Sequence, residues 1–133
     1  MNRYALLGHQ IEGSLSPELH RFAWARNRTS ADYELWSVSE AQFEDTVQRA
    51  RDELSGFNLT APFKQKIIPY LDEQTSRARR LGSVNAVHVR QGRLVGENAD
   101  WHGVCATLDR LRDHRGSTLI LGAGGFTLRD QWT

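Results

Sequence analysis

Residues 56–64 read Gly-Phe-Asn-Leu-Thr-Ala-Pro-Phe-Lys and could hold a chemically active site. The pattern predicts a short strand and then a helix that starts at Pro62, because proline suits the first helical position. Asn58, Thr60 and Lys64 would then meet at a strand-to-helix corner, where α/β proteins bind ligands. A lone lysine is most often a solvated surface residue. The positive end of a helix dipole also disfavours a cation, so Lys64 stands out at this place.

A second candidate site is a glycine-rich turn after the apolar run 119–121. It consists of Gly122, Ala123, Gly124 and Gly125. Glycines after a strand let the backbone approach a pyrophosphate, whose charge the following helix N-terminus then holds. The motif is weak alone, but its place after a predicted strand favours a dinucleotide-binding turn.

Taken together, these segments resemble the shikimate dehydrogenase family. Gly-x-Asn-x-Thr-x-Pro-x-Lys is similar to its signature, and the resemblance runs from about Arg3 to Gly125. The other matching segments, in order along the chain, are Ser14-Leu15-Ser16-Pro17, Val84-Asn85-Ala86, 96–103 and 122–125. The resemblance implies a substrate-binding domain followed by the start of a cofactor domain. It implies interconversion of shikimate and 3-dehydroshikimate with NADPH; a quinate/shikimate dehydrogenase, which sometimes prefers NAD, is the close alternative.

Lys64 and Asp100 are the catalytic residues that the resemblance implies. Reduction of a ketone by hydride leaves an alkoxide that needs a proton, and the reverse reaction needs a base at the hydroxyl. In the family, the matching lysine is the acid–base group and the matching aspartate binds the same substrate hydroxyl. Burial and a helix N-terminus would favour the neutral amine, whereas a close Asp100 would favour the ammonium. From the sequence alone, Asp100 could equally cap a helix.

The resemblance also implies a substrate site with a carboxylate-binding end. In the family, the serines that match Ser14 and Ser16 bind the substrate carboxylate, and the threonine that matches Thr60 lies beside them. The asparagine that matches Asn85 contacts the ring hydroxyls. The substrate-binding residues are therefore Ser14, Ser16, Thr60, Lys64, Asn85 and Asp100. Without the resemblance, Ser16 reads as a plain N-cap, and Asn58 and Asn98 read as side chains that tie loops together.

The chain departs from the family pattern at several positions. The family usually has proline in place of Gln10, histidine in place of Gly13 and threonine in place of Ala99. It often has an acidic residue in place of Ser76 and usually a small residue in place of Phe126. Only Thr127 to Thr133 follow Phe126, which is too short for a nucleotide-binding domain. We therefore expect a truncated form that binds NADP weakly or not at all, has no dehydrogenase activity alone, and self-associates through an unpaired edge strand.

The elements that must position these residues alternate between strand and helix. This order predicts an α/β fold: a mostly parallel sheet with one antiparallel strand and helices on both faces, followed by a fragment of a Rossmann-like domain. We assign 1–103 to the substrate-binding domain and 104–133 to a linking helix and the start of the dinucleotide-binding domain. The first helix is predicted to bury Leu19, Phe22, Ala23 and Arg26.

Composition restricts the class of protein. The chain has 133 residues, 39% hydrophobic and 25% charged, with a formal net charge of +1 and one cysteine. These values indicate a globular protein, give no support for nucleic-acid or membrane binding, and suit a reducing cytoplasm. The five histidines lack metal-ligand spacing, so no metal site is predicted.

Two other functions remain open at this stage. A stand-alone module could bind shikimate or a similar hydroxy acid without turnover, and a fragment could have no site function. The sequence does not decide between NAD and NADP, because the ribose-reading residues of such domains follow the second strand.

Overall fold

Strands and helices alternate along the part of the chain that the computed structural model describes, which is residues 1–111 and Leu119. The strands are β1 (Asn2–Gly8), β2 (Ala31–Ser37), β3 (Gly56–Leu59), β4 (Glu73–Gln74), β5 (Ala86–Arg90) and β6 (Arg93–Glu97). The helices are α1 (Ser16–Arg26), α2 (Phe43–Glu53), α3 (Phe63–Lys66), α4 (Ser76–Leu81) and α5 (Asp100–Arg110), with 3₁₀ turns at Glu40–Gln42 and Ile68–Tyr70.

The six strands form one sheet in the order β2-β1-β3-β5-β6-β4. β1 pairs in parallel with β2 and β3, and β4 pairs in parallel with β6. Only β5 runs antiparallel to its neighbours β3 and β6. The prediction of a mostly parallel sheet with one antiparallel strand is confirmed, whereas the two-residue strand β4 has no counterpart in the sequence analysis.

The larger core fills the sheet face that α2, α3 and α4 cover. Its helix side is a stripe of α2 and the residue that follows it, with Phe43, Val47, Ala50 and Leu54 all buried. Phe63 of α3 is fully buried and stacks on Phe43, with ring centroids 4.3 Å apart. This packing anchors the corner that carries Lys64.

The opposite face is thinner, and helix α1 covers it with different residues from those predicted. Leu19 and Phe22 are both 65% exposed, so the predicted inward stripe is wrong. Pro17, His20 and Trp24 face the sheet instead. Both stripes have helical spacing, and the sheet chooses between them, because Tyr4 and Tyr33 present rings on which His20 and Trp24 pack.

Three predicted helix starts are each displaced by one residue. Ser16 is the first residue of α1 and makes no cap hydrogen bond. Pro62 precedes α3 after a cis peptide bond with Ala61. Asp100 is the first residue of α5 and does not cap it; Ala99 is the N-cap residue, and Asn98 Oδ1 accepts from Trp101 N–H in the first turn.

Local capping residues are present at other helix termini. Ser39 and Gln42 form a capping box at the 3₁₀ turn before α2. Thr75 caps α4 through the amide of Ala78, and Gly82 ends that helix with a φ of 59°, in the left-handed region that glycine tolerates. The strand predicted at 118–121 and the turn Gly122, Ala123, Gly124 and Gly125 lie outside the described residues. Within the described part of the chain, no helix has the length and apolar character needed to cross a membrane.

Prediction for the core. Phe63→Ala should lower the free energy of unfolding by about 3–5 kcal/mol, because it leaves a cavity against Phe43. Phe22→Ala is the matched control on an exposed side chain and should change it by less than about 0.5 kcal/mol. Urea denaturation of the 133-residue chain measures both. Equal losses in the two variants would contradict the assignment of the core to the α2–α3 face.

Candidate functional site

A cleft of about 540 Å³ opens at one edge of the sheet and brings the predicted site residues together. Its polar lining includes all six residues predicted for the substrate site, which are Ser14, Ser16, Thr60, Lys64, Asn85 and Asp100. Thr60 and Asp100 follow the carboxyl ends of β3 and β6, and the two serines follow β1. Asn85 precedes β5, whose antiparallel direction puts its amino end at the same edge.

An ion pair between Lys64 and Asp100 lies in this cleft. Lys64 Nζ donates to Asp100 Oδ2 at 2.6 Å, and the two side chains are 23% and 26% exposed. The residues are 36 positions apart in sequence, so the tertiary fold creates the contact. A charged hydrogen bond of this length is among the stronger polar contacts in proteins.

The backbone around Lys64 is fixed by its neighbours. Val84 N–H donates to the Lys64 carbonyl at 2.8 Å, which ties the short helix α3 to the segment before β5. Thr60 N–H donates to the Leu7 carbonyl at 3.1 Å. A Cβ on Gly8 would lie 2.4 Å from Thr60 Cγ2, so glycine at that position allows the Thr60 corner to approach β1.

Asp100 is positioned by two asparagines. Asn98 is buried, donates through Nδ2 to the Ser83 carbonyl at 3.0 Å and accepts from Trp101 N–H at 3.3 Å. Asn85 Oδ1 accepts from Ala99 N–H at 2.7 Å. Both residues on either side of Asp100 are therefore held by side-chain amides, and the carboxylate enters the cleft from a fixed helix start.

Asn85 therefore has one end of its amide already engaged. A backbone N–H can only donate, so the bond from Ala99 sets Asn85 Oδ1 on that side and directs Nδ2 away from it. The resemblance implies that this amide contacts the ring hydroxyls of the substrate. The structure favours the Nδ2 end for that contact.

Ser14 and Ser16 lie together at the other end of the cleft. Ser14 Oγ donates to Ser16 Oγ at 3.0 Å and accepts from Ser16 N–H at 3.2 Å. Hydroxyls at the start of α1, which has 11 residues, can donate to an anionic group.

Sequence reasoning missed His20 and Tyr33, which are polar side chains of the cleft wall. His20 lies four residues after Ser16 on the same helix, and that spacing would have placed it on the cleft side. Burial lowers the pKa of His20, so its ring is neutral at pH 7. Burial raises the pKa of Tyr33, so its phenol stays protonated. Asn58 does tie elements together, as predicted, and also lines the cleft.

The residues that line the cleft offer two kinds of chemistry. Serine hydroxyls can bind a carboxylate, and a lysine–aspartate pair can exchange a proton. The residues between them offer amide and hydroxyl groups suited to a small molecule with several hydroxyls. Among the described residues, no cluster of histidine, cysteine and carboxylate side chains could hold a metal ion.

Comparison with known families gives one matching model. Residues 6–87 match the family described as "Shikimate dehydrogenase substrate binding domain". Two curated relatives are named shikimate dehydrogenase (NADP(+)). The one from Streptococcus thermophilus is 36% identical to this chain, and the one from Oceanobacillus iheyensis is 41% identical. The matches cover 91% and 90% of this chain but 43% and 46% of those proteins, so the chain spans less than half their length.

A solved structure extends the similarity to the fold. The shikimate 5-dehydrogenase of Thermus thermophilus, in complex with NADP(H) and shikimate, is 36% identical, with a TM-score of 0.87. The match covers 97% of this chain and 52% of that one. The α/β architecture of the described residues is therefore that of a shikimate dehydrogenase.

Prediction for the start of α5. Asn98→Ala should lower the free energy of unfolding by about 1–3 kcal/mol, because it leaves the Ser83 carbonyl and the Trp101 amide without partners. Hydrogen exchange at Trp101 should accelerate at the same time. Asn27→Ala, at the exposed end of α1, is the matched control and should change neither quantity measurably. Unchanged exchange at Trp101 in Asn98→Ala would contradict the capping assignment.

Proposed function

Because this chain belongs to the shikimate dehydrogenase substrate-binding domain family, we propose that it supplies the substrate-binding domain of an NADP-dependent shikimate dehydrogenase. The reaction is the interconversion of shikimate and 3-dehydroshikimate. The observation that carries the proposal is the Lys64–Asp100 pair, with Nζ and Oδ2 2.6 Å apart, in the same cleft as Ser14, Ser16, Thr60 and Asn85.

In this proposal Lys64 is the acid–base residue. As the ketone carbon is reduced, its oxygen becomes an alkoxide, and the Lys64 ammonium donates a proton to it; in the reverse direction the neutral amine takes the hydroxyl proton. An ammonium carries three donors, so a proton can pass to the substrate while the bond to Asp100 persists. Asp100 holds Nζ in place and accepts from the substrate hydroxyl.

The remaining residues bind and orient the ring. Ser14 and Ser16 bind the carboxylate through their hydroxyls, with Thr60 beside them. Asn85 donates to ring hydroxyls through Nδ2, since its Oδ1 is engaged by Ala99. Holding the reacting carbon in one orientation supplies a large part of the rate of such a reaction, because the entropy of alignment is lost on binding and not at the chemical step.

The cofactor enters the proposal only as the source and acceptor of hydride. NADP is the proposed cofactor, with NAD as the alternative. The proposed phosphate-binding residues Gly122, Ala123, Gly124 and Gly125 lie outside the described residues, so no geometry is assigned to them. We place the domain boundary between 103 and 104. This division falls inside α5, so one helix would join the two domains.

A second candidate function is binding of a hydroxy acid without turnover. It is favoured by the position of the cleft residues, because those lining residues that the structure describes all fall within the range from Leu6 to Asp100. The substrate contacts proposed here therefore need no residue after Asp100. Measurements on the chain alone and on a fused enzyme separate the two functions.

Prediction for binding. The 133-residue chain should bind shikimate in a calorimetric titration, and it should show no reduction of NADP or NAD when shikimate is added. Ser14→Ala should weaken binding by about tenfold, because the hydroxyl that holds Ser16 Oγ and Ser16 N–H at the carboxylate site is lost. Absence of any shikimate binding would argue against both candidate functions. Turnover by the chain alone would contradict the proposal that this chain supplies the substrate-binding domain and that a separate domain supplies the cofactor site.

Prediction for catalysis. When residues 1–103 are fused to the cofactor domain of the Thermus thermophilus enzyme, Lys64→Ala should lower kcat by about 10²–10⁴-fold with little change in KM. Lys66→Ala, two positions later at the end of the same helix, is the matched control and should leave both constants unchanged. Ser14→Ala should mainly raise KM. A Lys64→Ala fusion with unchanged kcat would contradict the assignment of Lys64 as the acid–base residue.

A further inference from the structure

Tyr33 is a buried polar residue of the cleft to which the proposed mechanism gives no part. It lies on β2, is 2% exposed and lines the cleft. His20 from α1 packs edge-on against its ring, with centroids 4.1 Å apart. Its hydroxyl donates to Asn58 Oδ1 at 2.9 Å, although β1 lies between β2 and β3 in the sheet. The phenol therefore reaches over one strand to a side chain on the next.

The hydrogen bonds around Asn58 determine the orientation of its amide. The Asn85 carbonyl is an acceptor only, so Asn58 Nδ2 must face it, and the two atoms are 3.1 Å apart. Asn58 Oδ1 is then on the Tyr33 side and accepts from the phenol. Because burial raises the pKa of Tyr33, the phenol donates throughout the neutral and mildly alkaline range.

This arrangement joins β2, β3 and the segment before β5 at the cleft. The Asn85 carbonyl also accepts from Leu59 N–H at 2.9 Å, so β3 and the segment before β5 are fixed to each other. One Nδ2 hydrogen of Asn58 is donated to the Asn85 carbonyl, and Asn58 Oδ1 accepts from the Tyr33 hydroxyl. The second Nδ2 hydrogen of Asn58 is therefore the one available to a ligand in the cleft. Without the phenol, Oδ1 loses its donor and the amide can rotate away from that orientation.

We propose that Tyr33 is a positioning residue of the substrate site: its hydroxyl holds the Asn58 amide with a donor presented to a hydroxyl or carboxylate oxygen of the bound hydroxy acid. This inference rests on the proposed function, since shikimate is the ligand that the proposed function names. It assigns to β2, which contributes no residue to the predicted site, a part in ligand affinity.

The test compares two tyrosine-to-phenylalanine variants of the 133-residue chain. Tyr33→Phe keeps the ring and removes the donor, and it should weaken shikimate binding by about three- to tenfold in a calorimetric titration. Tyr4→Phe is the matched control, because Tyr4 lies opposite Tyr33 in the sheet register and packs on Trp24. Its affinity should stay within about twofold of the unmodified chain. Equal affinities for Tyr33→Phe and the unmodified chain would overturn the proposal.

A double-mutant cycle separates positioning from general loss of structure. Asn58→Ala should weaken binding, and adding Tyr33→Phe to it should cause no further loss, because the phenol acts through Asn58. Losses that multiply in the double variant would overturn the proposal. The side-chain amide signals of Asn58 in a ¹H–¹⁵N spectrum provide a readout without ligand: they should shift in Tyr33→Phe and not in Tyr4→Phe.

The outcomes distinguish failure of the proposed function from failure of the inference. If the unmodified chain binds no shikimate, the proposed function fails, and the amide spectrum then tests the contact between Tyr33 and Asn58 by itself. If the chain binds shikimate and the cycle shows independent effects, the inference fails while the proposed function stands.

Discussion

The hydrogen-bonded pair of Lys64 and Asp100 depends on a closed ring of contacts, and most of the cleft depends on the same ring. Lys64 is held through its carbonyl by Val84 N–H. The next residue, Asn85, holds Ala99 N–H through its side chain, and Ala99 precedes Asp100. The ion pair then closes the ring at 2.6 Å. Each bond crosses between different elements, so the chemistry at Nζ requires the corner before α3, the segment before β5 and the start of α5 to be in place at once.

A partly buried ion pair of this kind is better understood as a device for positioning than as a source of stability. Removing two charges from water costs free energy that their attraction only partly offsets, whereas removing one partner leaves a charge poorly solvated. The stability of the described fold comes instead from the core on the other face, where Phe43, Phe63 and Val47 are buried against the sheet. Because Phe63 is adjacent to Lys64 in sequence, the core also determines where the functional lysine lies.

The two faces of the sheet therefore divide stability and function. The α2–α3 face has a continuous aliphatic and aromatic core, while the α1 face has a smaller cluster around Leu6, Ile11 and Tyr33. On this face, His20 and Tyr33 extend into the cleft with polar groups. Polar side chains are tolerated there because each has a partner or an open side toward solvent. The same residues would be costly in the larger core.

The sequence by itself determined the alternation of strands and helices and placed Asn58, Thr60 and Lys64 at a strand-to-helix corner. These follow from local rules: periodicity, capping chemistry and residues placed at the ends of strands. The resemblance of the motif at 56–64 added what such rules do not contain, which is the assignment of those residues to a substrate.

Only the tertiary structure decided which face of α1 is buried, which side chain bonds the first turn of α5, and that Tyr33 and His20 belong to the cleft. Leu19 and His20 both lie on plausible helical stripes, and the aromatic surface of β1 and β2 selects one of them. Asp100 and Asn98 are both good capping residues, and the buried Ser83 carbonyl selects Asn98. In each case the competing residues have similar local propensities, so the deciding free energy comes from a partner distant in sequence, which local patterns do not encode.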